Sequence, residues 1–211
     1  MTETKPGRRR PPKFELIGGN VCLDFVNTLD DRPSDKPKGL LTNYYELARF
    51  GEDTGILTPE QLDFLFERVH LMPDEAGEAL RRAINLREAM YALFAALMNK
   101  QTVPPVAMDT LNAYIQDAAL HSKLVAREGR VEWRFDDLTS YLDAMLWPIA
   151  RAAAEPLASS DLARVRACSS PTCQWFFLDT SKNHHRRWCS MQQCGNRAKV
   201  RRFYARRKTA V

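Results

Sequence analysis

Four cysteines near the end of the chain constrain its fold more than any other feature. Cys168, Cys173, Cys189 and Cys194 follow the spacing C-x4-C-x15-C-x4-C. Two short pairs separated by a loop can bring four thiolates to the corners of a tetrahedron, which is the arrangement of a structural zinc site. Four thiolates leave no open coordination position, so the metal would hold the fold and would not activate water. We therefore predict one structural Zn²⁺ per chain, with iron as the less favoured alternative.

The same cysteines could instead form disulfides or stay unligated. The rest of the chain lacks the disulfide-dense composition of a small secreted domain, which favours the metal. His184 and His185 lie between the two pairs, and with four thiolates already available we predict that they are loop residues or face nucleic acid. The fifth cysteine, Cys22, sits in an apolar run and is predicted to be a small core residue.

The charge of the chain is distributed unevenly. From Ser181 to the C-terminus there are ten Lys or Arg residues and no Asp or Glu, so the rest of the chain carries 21 basic and 26 acidic residues. A basic segment beside a metal knuckle is typical of a surface that meets phosphate. A basic helix kept only for solubility is the alternative.

The sequence around these cysteines resembles the CGNR zinc finger. Cys194-Gly195-Asn196-Arg197 is the motif that names the family, and the similarity covers roughly residues 161–208. The resemblance implies a bacterial transcription regulator whose four zinc ligands correspond to Cys168, Cys173, Cys189 and Cys194.

A second resemblance covers about residues 14–155. The run from Gly18 to Thr28 reads GG-x-x-x-LDFVNT, which resembles the opening of the ABATE domain, a family of stress-induced transcription regulators that commonly precedes the CGNR finger. Asp24 and Asn27 in this run, together with Arg87, could line a ligand pocket. The alternatives are that Asp24 and Asn27 tie the adjoining turn and that Arg87 pairs with a neighbour.

Helix caps, prolines and apolar periodicity predict a mainly helical body. The predicted helices are listed in chain order: Thr42 or Asn43 to about Glu52, a helix starting at Thr58-Pro59, Pro73 to about Asn99, Val106 to Leu120, and Asp136 or Asp137 to about Leu157. Lys123–Phe135 predicts a β-hairpin. Val21–Leu29 fits either a strand or a helix.

In the C-terminal region, Trp175–Leu178 predicts a strand and Gly195 or Asn196 to Lys208 a basic helix. Val200, Phe203 and Tyr204 fall on one side of that helix and are expected to pack on the metal core. The predicted fold class is a mainly α body with a small hairpin (α+β), followed by a small zinc finger of treble-clef or ribbon-like knuckles and a basic helix. The predicted domains are a disordered basic arm at 1–13, the body at 14–158 and the finger at 159–211, with the body folding independently.

The function predicted from these features is zinc-dependent binding of duplex DNA by a transcription regulator. The cations expected to contact DNA are Arg186, Arg187, Arg197, Lys199, Arg201, Arg202 and Arg206. The alternative is an RNA-binding or protein-interaction module, with Trp175, Trp188 and Phe203 as stacking surfaces. A small-molecule effector in the body and a homodimer are both compatible with the sequence.

Other classes of protein are disfavoured. No nucleotide-binding, metalloprotease or nucleophile-elbow motif occurs, so we predict no enzyme activity. No apolar run approaches the roughly 18 residues of a membrane span, and the N-terminal arginines are not followed by the apolar segment of a signal peptide. With the thiolate cluster, this predicts a cytoplasmic protein associated with the nucleoid.

Overall fold

The computed structural model describes residues 13–209, with side chains through residue 205, so that of the predicted basic arm only Lys13 is covered. The elements are, in chain order, α1 (Val21–Val26), β1 (Leu29–Asp30), β2 (Lys38–Gly39), α2 (Tyr44–Asp53), α3 (Pro59–Leu71), α4 (Pro73–Met98), α5 (Pro105–Leu120), β3 (Ser122–Arg127), β4 (Arg130–Phe135), α6 (Leu146–Leu157), a 3₁₀ helix (Ser160–Arg164), β5 (Val165–Ala167), β6 (Phe176–Leu178), a π-helical turn (Met191–Gly195) and α7 (Asn196–Thr209). No helix in this part of the chain is long and apolar enough to span a membrane. The mainly α fold with small antiparallel pairs is confirmed.

The predicted caps begin the body helices. The Asn43 side chain accepts a hydrogen bond from Glu46 N at the start of α2. Thr58 and Gln61 exchange hydrogen bonds in a capping box at the start of α3, with Pro59 in its first turn. Such caps satisfy N–H groups that have no partner inside the helix. The 26-residue α4 packs against the other body helices and provides much of the core.

The ambiguous segment after Gly18-Gly19 is a short helix. The Asn20 side chain caps α1 by accepting a hydrogen bond from Cys22 N at 2.9 Å. Cys22, Leu23, Phe25 and Val26 are all buried, which explains why the sequence pattern fits a strand and a helix equally well.

The predicted hairpin is confirmed as β3 and β4, but the start predicted for the last body helix is wrong. Helix α6 begins at Leu146, not at Asp136 or Asp137. The Asp137 carboxylate accepts hydrogen bonds from both N and Oγ1 of Thr139, which forms a turn. The Leu142 carbonyl accepts a hydrogen bond from the Tyr44 hydroxyl at 2.7 Å, and Leu146 N donates to Asp143 O instead. The Leu142 carbonyl is thus bonded to the Tyr44 side chain, and Leu146 N is not bonded to it as it would be in a continuous α-helix.

The body and the finger share one hydrophobic core. Val165 and Phe176 of the finger are buried in the same cluster as the body helices. The Phe176 ring stacks on Tyr91 of α4, with 5.2 Å between centroids and 4° between planes, and meets the edge of Phe94. This packing argues against independent folding of the body, although the boundary at residue 159 itself stays a prediction.

Strand β6 is hydrogen-bonded to β5 of the finger along one edge and to the body along the other. Antiparallel pairing with β5 is marked by Cys168 N donating to Trp175 O and by Asp179 N donating to Arg164 O. Because hydrogen-bonded pairs alternate along such a ladder, the polar backbone groups of Phe176 and Leu178 point away from β5.

Two body residues satisfy these outward-facing groups. The Asn27 side chain donates to Phe176 O at 2.9 Å and accepts from Phe176 N at 2.8 Å, while Leu178 N donates to Gly18 O at 2.7 Å. A Cβ atom at Gly18 would lie 2.9 Å from both Asp24 N and Asp24 Oδ1, so the close approach of the Gly18 backbone to Asp24 requires glycine. These contacts fix the first metal knuckle to the body.

Candidate metal centre and nucleic-acid interface

The four predicted metal ligands come together at one point between the β5–β6 hairpin and α7. Cys168 follows β5 directly, and Cys173 lies in the turn before β6. Cys189 comes before the π-helical turn, and Cys194 lies within it, directly ahead of α7. The second knuckle therefore leads straight into the basic helix.

The distances between the sulfurs fit a tetrahedral zinc site. All four Sγ atoms lie within 4.8 Å of one another, and the Cys173–Cys189 and Cys189–Cys194 Sγ distances are both 3.6 Å. With Zn–S bonds of about 2.3 Å, the corners of a tetrahedron are about 3.8 Å apart. All four cysteines are buried, as a closed structural site requires. Cys168, Cys173, Cys189 and Cys194 thus form the four-cysteine centre of a zinc finger that holds one structural Zn²⁺.

The chemistry of the crowded thiols also calls for a cation. Hydrogen bonds from Cys173 and Cys189 stabilise the Cys168 thiolate and lower its pKa. The same contacts with Cys168 raise the pKa values of Cys173 and Cys189, because neighbouring sulfurs cannot all ionise without a compensating charge. A bound divalent cation removes this penalty by stabilising all the thiolates together.

Three of the seven predicted DNA-contacting cations donate side-chain hydrogen bonds within the finger. Arg186 is half-buried: its guanidinium donates to the carbonyls of Trp188 and Cys189 and lies 4.4 Å from the Phe177 ring centroid. Arg197 donates to Cys194 Sγ at 3.3 Å, and Arg201 donates to Ser170 Oγ at 3.3 Å. These arginines brace the knuckles, and Arg186 has little of its guanidinium left for another partner.

The remaining predicted cations divide into two groups. Arg187, Lys199 and Arg202 are exposed. Arg187 lies over the Trp188 ring, and Lys199 and Arg202 are one helical turn apart on α7. The Arg206 side chain lies outside the described part of the chain. Lys199 and Arg202 are therefore the best-placed described side chains on α7 for an external anion.

The expectation that Val200, Phe203 and Tyr204 pack on the metal core is wrong. Their exposed fractions are 54%, 56% and 60%, and the α7 residue that is buried is Ala198. The side of the helix facing the metal is occupied by Ala198 and by the arginine contacts to Cys194 and Ser170, so the larger apolar side chains are left on the surface.

The polar groups of the three residues predicted for a ligand pocket all have partners within the protein. Asp24 Oδ1 accepts a hydrogen bond from Gly18 N at 2.7 Å, and both ends of the Asn27 amide bind Phe176. Arg87 donates to Glu88 Oε1 at 2.8 Å. None of the three lines the four cavities described between residues 30 and 201. The tied turn therefore describes Asp24 and the neighbouring ion pair describes Arg87, whereas Asn27 binds a strand 149 positions away, which neither alternative predicted.

Sequence reasoning missed Asp179, which organises the loop between the two knuckles. Its fully buried carboxylate accepts hydrogen bonds from N and Oγ of Ser181 and from Arg186 N. Burial raises the pKa of Asp179, but these hydrogen bonds outweigh it and hold the pKa below its usual range. One signal was present in the sequence, since Asp179 is the last acidic residue before the acid-free basic segment. His184 stays outside the sulfur cluster, with Nδ1 3.0 Å from Asp179 O.

A helical body joined to a closed four-cysteine finger with a basic helix defines a zinc-binding protein. Comparison with family models agrees. Residues 19–160 match the ABATE family, described as "Putative stress-induced transcription regulator", and residues 164–207 match the CGNR zinc finger. The chain belongs to the ABATE family, with a CGNR finger at its C-terminal end. No curated protein matches it.

Proposed function

We propose that this protein is a zinc-dependent transcription regulator that binds duplex DNA through its finger and acts in the cytoplasm. The observation that carries the proposal is the acid-free segment after Ser181, whose ten cations include those of a helix that starts directly after the metal ligand Cys194. An α-helix fits the major groove of B-form DNA, and arginine and lysine side chains suit phosphates and guanine edges.

The metal matters to this proposal because it orders the helix. A free basic tail would also bind phosphate, but it would lose chain entropy on binding. Cys194 ligation and the contacts of Arg197 and Arg201 fix the first turns of α7 against the knuckles. Lys199 and Arg202 are then held in a defined register relative to the rest of the protein.

The test is a paired comparison of duplex binding. Replacing Lys199 and Arg202 together by alanine should weaken binding and reduce the log–log salt slope by about 2, since each lost phosphate contact accounts for roughly 0.9. The matched control replaces Arg127 and Arg130, two exposed cations at the turn of the β3–β4 hairpin. Equal losses in both double variants would mean that binding follows net charge and not the finger.

A second candidate is a single-stranded RNA or protein-interaction module. Phe203 and Tyr204 are exposed beside the cations and could stack on unpaired bases. Trp175 and Trp188 are less suited to this role, because both pack partly buried against the cysteine cluster. Competition between duplex DNA and single-stranded RNA of equal length separates the candidates, and a preference for RNA would favour this second one.

We also propose that the body associates with a second copy through the β3–β4 hairpin. One face of the hairpin carries Leu124, Val131 and Trp133, which are 57%, 68% and 54% exposed, while the charged residues point to the other face. The Arg151 guanidinium of α6 lies over the Trp133 ring, 4.4 Å from its centroid, so Leu124 and Val131 form the open apolar part of this face. Such an apolar patch can pack against its own copy. Replacing Leu124 and Val131 by lysine should then lower the mass measured by light scattering from dimer to monomer. Val125→Lys on the opposite face is the control, and a wild-type monomer would refute the proposal.

A further inference from the structure

A cavity of about 710 Å³ lies where the body meets the finger. The last turn of α4 and the residues after it form one wall, including Met98 and Lys100. Strand β5 and the first knuckle form the other wall, including Arg166 and Gln174, and Phe176 lies between them. The volume is in the range of small-molecule sites. Cys168 also lines the cavity, which therefore borders the metal centre.

The lining of the cavity combines an apolar base with positive charge. Aliphatic side chains from both walls provide the base, among them Met98 and Leu162. Phe176 and Tyr91 also line it, with their rings stacked on each other and the Arg32 guanidinium over Tyr91. Lys100 and Arg166 are the charged residues, and no acidic residue lines the cavity. In the part of the chain that the structure describes, neither of these two cationic side chains forms a described hydrogen bond or ion pair. This arrangement suits a ligand with a flat apolar body and an acidic group.

Two residues that line the cavity, Lys100 and Gln174, have strained backbone conformations. Lys100 has φ of +54° and Gln174 has φ of +57°, both in the left-handed region that favours glycine. Lys100 follows the end of α4, where Lys100 N donates to Leu97 O and Gln101 N donates to Ala96 O. Glycine is the usual residue at that position of such a helix end. Lys100 and Gln174 lie in two separate segments of the chain, and at both positions glycine would relieve the backbone strain. Both nevertheless carry a long polar side chain at the same cavity.

We propose that this cavity binds a small organic anion with an aromatic or similarly flat apolar body, its acidic group held by Lys100 and Arg166. Such a ligand contacts the body and the finger at once, so its binding stabilises their docked arrangement. The regulatory consequence, a change in DNA affinity, rests on the proposed function, whereas binding to the cavity does not.

The test is a titration of the zinc-loaded protein with 2-naphthoate, followed by the amide signals in two-dimensional NMR. The proposal predicts shifts clustered at residues 97–100 and 166–174. The neutral analogue 2-naphthamide should bind about tenfold more weakly, since it lacks the charge-assisted contacts. Shifts spread over other surfaces, or equal affinities for the two compounds, would overturn the proposal.

The informative variant is Lys100→Gly, because it removes the cation and relieves the left-handed backbone. Its thermal midpoint should be no lower than that of the wild type, so weakened binding cannot be attributed to unfolding. The expected result is about tenfold weaker binding of 2-naphthoate. Glu128→Gly is the matched control: Glu128 also has positive φ, at +51°, but lies in the hairpin turn away from the cavity. Unchanged affinity in Lys100→Gly contradicts the assignment.

Regulation is tested separately by measuring duplex affinity with and without saturating 2-naphthoate. A changed affinity supports the coupling, and an unchanged one refutes the regulatory role while leaving the binding site in place. If the protein binds no duplex at all, the proposed function fails, and the NMR titration still decides whether the cavity binds the anion.

Discussion

The contact between Asn27 and Phe176 predicts that a single body residue controls how firmly the finger is attached. The two residues are 149 positions apart, and the Asn27 side chain is 3% exposed. Asn27→Ala removes both partners of the Phe176 backbone, leaving one buried N–H and one buried carbonyl without hydrogen bonds. An unsatisfied buried group costs about 1–3 kcal/mol, so with two such groups the variant should lose about 2–6 kcal/mol in the free energy of unfolding.

The assay is urea denaturation of the zinc-loaded protein followed by circular dichroism. Asn43→Ala is the matched control, because Asn43 caps α2 through an exposed hydrogen bond to Glu46 N. Loss of such a cap costs about 1 kcal/mol. If Asn27→Ala destabilises the protein no more than Asn43→Ala does, the reasoning is refuted, and β6 does not depend on the body for its hydrogen bonds.

Two further predictions concern the metal centre and the pH dependence of stability. Cys189→Ser should fail to hold the stoichiometric zinc measured by elemental analysis, whereas Cys22→Ala, a change at the buried cysteine outside the cluster, should keep one zinc per chain. Asp24→Asn should be more stable than the wild type at pH 7.5, by at most about 3 kcal/mol, and the advantage should disappear by about pH 4 in thermal melts at both pH values. Burial raises the pKa of Asp24 from 3.8 to about 6, so ionisation of its carboxyl group destabilises the folded state as the pH rises through this range. Asparagine removes the charge but keeps the oxygen that accepts a hydrogen bond from Gly18 N. If the stability difference between Asp24→Asn and the wild type is the same at both pH values, this explanation is contradicted.

Local patterns predicted the metal centre and most elements of the body. The spacing of four cysteines was sufficient for the zinc site, because knuckles are short and their ligands lie close in sequence. The caps at Asn43 and Thr58 and the hairpin after Ser122 are likewise encoded within a few residues.

Features that depend on distant partners could not be predicted. Just before α6, the Leu142 carbonyl accepts a hydrogen bond from the Tyr44 hydroxyl, 98 residues away, and no local pattern around Asp136 reveals that contact. The role of Asn27 depends on which backbone groups β5 leaves unpaired on β6. Arg186 and Arg202 look alike in the sequence, yet the folded finger uses the first internally and leaves the second exposed. Composition identifies a basic segment, but only tertiary structure separates bracing arginines from exposed ones.

The central claim is that zinc orders the finger so that α7 binds duplex DNA. It is tested most directly by fluorescence anisotropy of one labelled duplex with the zinc-loaded protein, the chelated protein and the chelated protein after zinc is restored. The account predicts that chelation weakens binding with every arginine still present, and that zinc restores it. Equal affinities in all three states would contradict it, because the segment after Ser181 would then act as a polycation that needs no ordered helix.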